Sequence, residues 1–407
     1  METNISGPDQ SATAIDLPAF QRDLDALRAE INEGLGPADV AHLRKIELWG
    51  RLCSLAGYAT AWIVPNPISA VLLAVGNSTR WAVMMHHVGH RGIDRAAEKT
   101  RAQGGPVPTN YSSKLYAQGR RRFLDWFDWM LPQAWHHEHD FLHHYSTNEL
   151  LDPDLVEENL KGLRASRVAR PLKYAAVAFF ALTWKVTYYA PNTFQILKRH
   201  ERTRAARRAG TLGMKESLPG TDHLIEAFDL RTPDGREFWR VCLLPYAAIR
   251  FLLLPALFAP LGMKAVLAVL LNSIFAELLT NLHSFAIIAP NHAGEDIYRF
   301  ATPAKGREEH HLRQIISSVN YATGGDINDW LHGYLNYQIE HHLWPDLPPL
   351  KYRDYAPRVR ELCLRHGVVY LQEPLATRIR KTVDIMVGKS SMKRAREVLV
   401  PVPVHNG

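Results

Sequence analysis

Residues 67–90 read PISAVLLAVGNSTRWAVMMHHVGH. From Pro67 to Met85 the run carries one charge, Arg80. At about 1.5 Å per helical residue it is long enough to cross a hydrocarbon core roughly 30 Å thick. It ends on His86, His87 and His90. His86 and His90 are four residues apart, so a helix emerging from the bilayer presents both imidazoles on one face.

A second run, Leu48 to Val64, precedes it and is apolar apart from Arg51, whose long stem can carry its charge to the interface. Pro65, Asn66 and Pro67 break the helix between the two. Segments 48–64 and 67–85 are expected to form one membrane hairpin, and 241–261 with 264–287, joined at Gly262, a second. Arg250 and Glu277 fall near the middle of the second pair. An unpaired arginine at that depth costs about 2.5–3.5 kcal/mol on insertion scales, so the two are expected to pair. A further stretch, Tyr174 to Phe194, holds Lys185 at its centre and turns polar at Pro191 and Asn192. If histidines on both sides of it build one site, an even number of crossings must separate them, and the second hairpin already supplies two. The stretch is therefore expected to lie along the interface with Lys185 toward water. That gives four spans with both termini cytosolic.

The polar remainder holds the mean hydropathy of the 407 residues at −0.20. Residues 1–47 lack the apolar core of a cleavable signal and read as a cytosolic amphipathic segment. Within it Asp16 and Pro18 mark a helix start, and Phe20, Leu24, Leu27 and Ile31 recur at helical spacing before Gly34. The membrane domain is expected over 48–370 and a polar C-terminal tail over 371–407. The net charge of +7 gathers in clusters such as Arg120 to Arg122 and Lys198 to Arg208, which flank apolar segments. That is where cytosolic positive charge belongs, and it excludes a nucleic-acid partner. Cys53, Cys242 and Cys363 are too far apart in sequence for a CxxC, which excludes a disulfide scaffold and a thiolate metal site.

Histidine is the unusual residue, with 20 copies. A second group reads Trp135-His136-His137-Glu138-His139-Asp140-Phe141-Leu142-His143-His144, and a third Asn336-Tyr337-Gln338-Ile339-Glu340-His341-His342-Leu343-Trp344-Pro345. The three boxes, 86–90, 136–144 and 338–342, have the pattern HxxxH, HxxxHH and QxxHH beside the polar ends of apolar runs. Imidazole without thiolate suits iron, zinc or copper, and the seven motif histidines exceed the four ligands of an ordinary zinc site. They point to two metals. Two irons in a histidine-rich cage can use oxygen against an unactivated C–H bond, and beside a membrane that bond belongs to an acyl chain.

In His86-His87-Val88-Gly89-His90, in His139 through Asn148 and in Leu335 through Pro345, the chain resembles the membrane fatty acid desaturases and their hydroxylase relatives. The resemblance covers roughly residues 48–370. It implies an all-α integral membrane protein with four transmembrane helices in two hairpins and a cytosolic helical cap holding a di-iron site. It also implies oxygen-dependent desaturation of an acyl chain carried on a lipid or on coenzyme A. Electrons would come from a separate donor of the ferredoxin or cytochrome b5 type with its reductase, since the His-Pro-Gly-Gly signature of a fused cytochrome b5 domain is absent.

By position, His86, His90, His139, His143, His144, His341 and His342 look like iron ligands, and His283 resembles the family's extra ligand outside the boxes. Gln338 stands where other members place a histidine, a replacement found in the front-end type. Gln338, Asn336, Asp140, Asp152, Asp154, Glu340 and His292 are candidates for supporting the ligands, because a ligating imidazole needs a partner on its other nitrogen. His136, His137, His310, His311 and His332 read as surface or supporting residues. Hydroxylation or epoxidation on the same fold is the nearest alternative. A histidine-rich metal transporter or sensor is the alternative of another class, disfavoured because transport needs ligands near the bilayer midplane.

Overall fold

The structure, a computed structural model, describes residues 15–213 and 224–395; the first part of the N-terminal segment and the end of the C-terminal tail lie outside the described residues. Helix α1 (Leu17–Glu33) starts as the sequence predicts, with Asp16 Oδ1 accepting the Ala19 amide at 3.0 Å. It buries Phe20, Leu24, Leu27 and Ile31 against the cap. Helix α2 (Pro37–Ala61) turns back through Pro65–Pro67 into α3 (Pro67–Gly89).

The α2–α3 hairpin is closed by small residues. A Cβ on Gly57 would lie 2.8 Å from the Leu73 side chain, and one on Gly76 would lie 2.9 Å from the Gly50 carbonyl. Close backbone approach of this kind is how helices pack where lipid removes the hydrophobic drive.

Box 2 lies on α4, built from Pro132–Trp135, a π-turn at His136–His143 and His144–Ser146. Helix α5 is one long rod: Arg170–Trp184, a π-turn at Lys185–Tyr189, and Ala190–Arg208. Then come α6 (Pro233–Leu261) and α7 (Met263–Asn291), joined at Gly262, whose φ of +94° suits glycine. The π-turns of α6 at Trp239–Leu243 and Ile249–Leu253 precede Pro245 and Pro255, which cannot donate the regular helix bond. On α7, Asn272 ties that helix to the turn between α2 and α3: its Nδ2 donates to the Ala61 and Val64 carbonyls and its Oδ1 accepts the Asn66 amide.

The cap is completed by α8 (Arg307–Ile316), α9 (Gln338–Leu343), α10 (Pro349–Arg365) and α11 (Leu375–Met386), with a two-stranded parallel sheet of β1 (Tyr298–Phe300) and β2 (Lys393–Ala395).

Three helices among the described residues are long and apolar enough to cross a membrane: α3, α6 and α7. Helix α2, expected to span over 48–64, is not one of them. Arg44, Lys45, Glu47 and Arg51 crowd its first two-thirds, although Leu48, Leu52 and Leu55 still face outward.

Lys185 does not point to water. It is 1% exposed, ion-paired with Asp128, with its amine over the Trp81 ring. The compensating carboxylate comes from a loop 57 residues away, where periodicity along the helix gives no sign of it. Arg250 and Glu277 likewise find other partners than each other: Arg250 bonds the Tyr58 hydroxyl, while Glu277 accepts from Trp129 Nε1 and the Tyr246 hydroxyl, both at 2.8 Å.

The expected polar tail is in part folded onto the cap. Arg378 of α11, fully buried, pairs with Asp296 and donates to the Ala293 carbonyl.

Candidate metal centre and substrate cavity

Each box reaches the centre on a different element. Box 1 is the last turn of α3, box 2 the π-turn of α4, and box 3 is α9. The π-turn matters for the third histidine of box 2. In an α-helix, His139 and His144 would stand about 140° apart around the axis, given 3.6 residues per turn. The i→i+5 bonding of a π-turn widens the coil and brings them together, with ring centroids 4.9 Å apart.

Two groups result. One ring nitrogen from each of His86, His90, His139, His144 and His341 lies within 4.8 Å of the others, and the same holds for His143, His292 and His342. The groups adjoin where His144 stacks on His342 at 4.2 Å between centroids. All eight rings are buried.

The outer nitrogens are anchored. His90 Nδ1 faces Asp140 at 3.0 Å, His143 Nδ1 faces Asp152 at 2.9 Å, and His342 Nδ1 faces the Gln314 amide oxygen at 2.9 Å. His292 Nδ1 faces the Ser317 carbonyl at 3.1 Å and His341 Nδ1 the Tyr352 hydroxyl at 3.3 Å. An acceptor at Nδ1 fixes the proton there and leaves Nε2 with its lone pair. The Nε2 atoms of His90, His341 and His342 and both ring nitrogens of His144 are buried without a hydrogen-bond partner. Buried polar atoms left unpaired this way normally mark a missing partner, and converging imidazole lone pairs fit a metal cation.

Burial pushes the Asp140 carboxyl up, but the bond from His90 and the nearby Arg91 charge hold it below its ordinary value, so it stays anionic. The opposite holds at Glu138, beside His139. Burial, then the charges of Asp154 and Asp152, push it well above the carboxylate range, and burial pushes Asp154 up to about 6.

His283, expected as an extra ligand, is not brought to the centre. Its Nδ1 bonds the Ser78 hydroxyl at 3.0 Å and its Nε2 donates to the Leu331 carbonyl at 2.7 Å, and neither nitrogen joins the converging rings. His292, expected only in support, stands in the three-histidine group instead. Gln338 meets it, with Nε2 2.8 Å from His292 Nε2 and Oε1 accepting from Asn291.

Asn336 and Glu340 touch no ring: Asn336 donates to Asp329, and Glu340, pushed by burial up to about 7, accepts from Asn320 and Tyr370. His137 lies against His200 with the rings tilted, His136 approaches Asp140, His310 lies beside Tyr145, His311 bonds Gln21, and His332 bonds the Asn328 carbonyl. Gln314 and Asn148 were not anticipated. Asn148, at φ +58°, ties the end of box 2 to the His292 and Ser317 carbonyls. That such a short polar residue follows box 2 was the only signal in sequence.

An apolar cavity of about 440 Å³ opens directly on the centre. His86, His139, His143 and His292 form one end, Trp81 and Trp135 are walls, and Phe179, Phe180 and Leu163 line the way out. Its size is that of a small-molecule pocket. A flexible apolar chain fits this lining.

A sequence profile of the fatty acid desaturase family matches residues 60–374. The chain belongs to the fatty acid desaturase family. Over 389 residues it is 24% identical to an NADPH-dependent stearoyl-CoA 9-desaturase of Mycobacterium tuberculosis, covering 91% of this chain and 79% of that one. Shorter matches join it to fatty acid desaturase 3 of Bos taurus, 42% identical over 77 residues (19% and 16% of the two chains), and to an acyl-lipid (9-3)-desaturase of Physcomitrium patens, 35% over 101 residues (25% and 18%). This desaturase is thus an oxidoreductase acting on fatty acyl chains, with histidine clusters able to hold the metal on which its iron-dependent family relies.

Proposed function

We propose that the chain desaturates a fatty acyl group, carried on a lipid or on coenzyme A, at a two-iron centre on the cytosolic face of a four-span membrane domain. The observation that carries this reading is the gathering of eight buried imidazoles, four with unpartnered Nε2 atoms, behind the end of an apolar cavity that His86, His139, His143 and His292 line. His86, His90, His139, His144 and His341 would hold one iron, and His143, His292 and His342 the other. Iron there would supply oxygen activation against an unactivated C–H bond, chemistry that side chains lack.

The chain's own residues do the rest. Asp140, Asp152 and Gln314 fix the ring tautomers. The cavity wall holds two neighbouring methylenes beside the histidines and keeps bulk water away. Glu138, beside His139, holds a proton near the site. Hydroxylation would need the same residues and differ only in how the chain is seated.

The test is a lipid profile of a host expressing the protein with a compatible electron donor, together with iron content of the purified chain. New double bonds that vanish with His341→Ala support the proposal. A hydroxylated product, or double bonds formed without iron, would overturn it.

A further inference from the structure

This inference rests on the desaturase reading. Its balance is –CH2–CH2– + O2 + 2 e⁻ + 2 H⁺ → –CH=CH– + 2 H2O, so two electrons must enter from outside for each double bond. The cap has one strongly basic wall next to the centre. The second half of α5, Lys198 to Arg208, carries six lysines and arginines against one carboxylate, Glu201. Lys198 is paired with Glu201 and Glu237, and Arg202 with Asp234. Arg199, Arg204 and Arg208 form no ion pair with any described residue, and Arg204 and Arg208 are exposed.

This half of α5 lies against box 2. The rings of His200 and His137 are 3.9 Å apart, and His137 is two residues from His139. Beside it, His136 Nδ1 lies 4.0 Å from Asp140, the carboxylate that holds His90. Arg91, half exposed, approaches the same carboxylate at 3.6 Å. Arg91 and Arg199, together with the imidazoles of His136, His137 and His200, thus form a strip one side chain away from the ligands, its positive charge carried by the arginines.

Anionic lipid is the other natural partner of a basic helix, but the direction of α5 argues against it. Phe194 meets Phe238, Lys198 meets Glu237 and Arg202 meets Asp234. The two helices are antiparallel there, so α5 rises away from the apolar span as α6 descends into it. Arg208, six residues past Arg202, stands about 9 Å farther out along the helix.

We propose that this strip is the docking surface for a small acidic protein that carries one electron at a time, seated over His200 and His137. Two reduced carriers, each oxidised by one electron, supply the pair that the reaction needs. An acidic face opposite the unpaired arginines speeds encounter and fixes orientation.

The test compares the full chain with the variant R199E/R204E/R208E, each in nanodiscs of neutral lipid and, separately, of anionic lipid. Product formation is followed against increasing reduced acidic [2Fe–2S] ferredoxin, against the soluble domain of cytochrome b5, and with dithionite, which needs no docking. KM for a carrier is expected to rise about tenfold or more at low salt. The difference should shrink as salt is added, with the dithionite rate unchanged. A carrier KM within about twofold of the parent, or a dithionite rate that falls in proportion, overturns the proposal. So does a loss seen only in nanodiscs of anionic lipid, which would assign the strip to the membrane. Binding of oxidised carrier is titrated separately. Binding that the variant loses, in a parent protein that makes no double bond, would reject the desaturase reading and keep the docking surface.

Discussion

His283 and His292 stand nine residues apart at the end of α7, and the family resemblance favours the first, while the Pro-Asn-His-Ala-Gly turn around the second suggests a loop role. The backbone decides otherwise. Helix α7 tightens into a 3-10 turn at Ala289–Asn291, and Asn148 and Gln338 hold the next residue facing His143 and His342. His292→Ala is expected to lower bound iron by about half and abolish product, since the smaller group has only three histidines. His283→Ala should keep both irons and most activity while losing stability of about 0.5–1.5 kcal/mol for each of its two hydrogen bonds. Metal analysis and melting of the two variants check this, and unchanged iron in His292→Ala would reject its assignment. The paired histidines of the boxes could be read from sequence because their partners lie within one turn. His292, Gln314 and Asn148 could not, because each acts across more than 20 residues of intervening chain.

Helix α5 shows what periodicity reveals about an element and what it hides. The interruption of its apolar run by Lys185 is visible in sequence, and the run is indeed not among the helices long and apolar enough to cross a membrane. Its π-turn and the burial of the lysine depend on Asp128, Trp81 and the Asn281 side chain, which accepts the Lys185 amide at 2.7 Å. Removing one partner of a buried ion pair leaves a lone charge and costs about 3–5 kcal/mol, whereas replacing both with apolar residues is often neutral. Lys185→Met is therefore expected to lower the midpoint of denaturation sharply and Lys185→Met with Asp128→Leu to restore most of it. A double variant no more stable than the single one would mean that Asp128 is solvated after all. Because Trp184 and Tyr189 line the cavity beside His86 and His139, loss of this anchor should also slow turnover before it unfolds the chain.

For the molecule as a whole, the middle of α5 meets the box histidines, with the Tyr189 hydroxyl 3.5 Å from His139 Nδ1, so with the boxes on one face of the bilayer, as proposed, α5 would not be centred in it. Single cysteines at Arg167 and Arg204, introduced after replacing Cys53, Cys242 and Cys363, should react with an impermeant reagent from the same side; labelling from opposite sides would show that α5 crosses.

The same burial that gathers the rings makes the fold sensitive to acid. Desolvation, the largest cause in each case, lowers His42, His136, His137 and His311 to about 4 and His292 to about 3. An unfolded chain takes up protons on these rings near pH 6.5, the folded one only well below it. Between those limits the unfolded state binds more protons, so stability is full above about pH 6.5 and declines as pH falls. The metal-free protein should therefore show a melting temperature that falls from about pH 6.5 toward pH 5, the histidines outweighing the opposite effect of Glu340, Asp154 and Glu138, whose folded carboxyls hold their protons longer. With iron restored the fall should be steeper, because protons then also compete for the ligand nitrogens. A metal-free melting temperature that holds steady down to pH 5 would mean that the rings reach water before the chain unfolds, and the closed, dry centre would have to be given up.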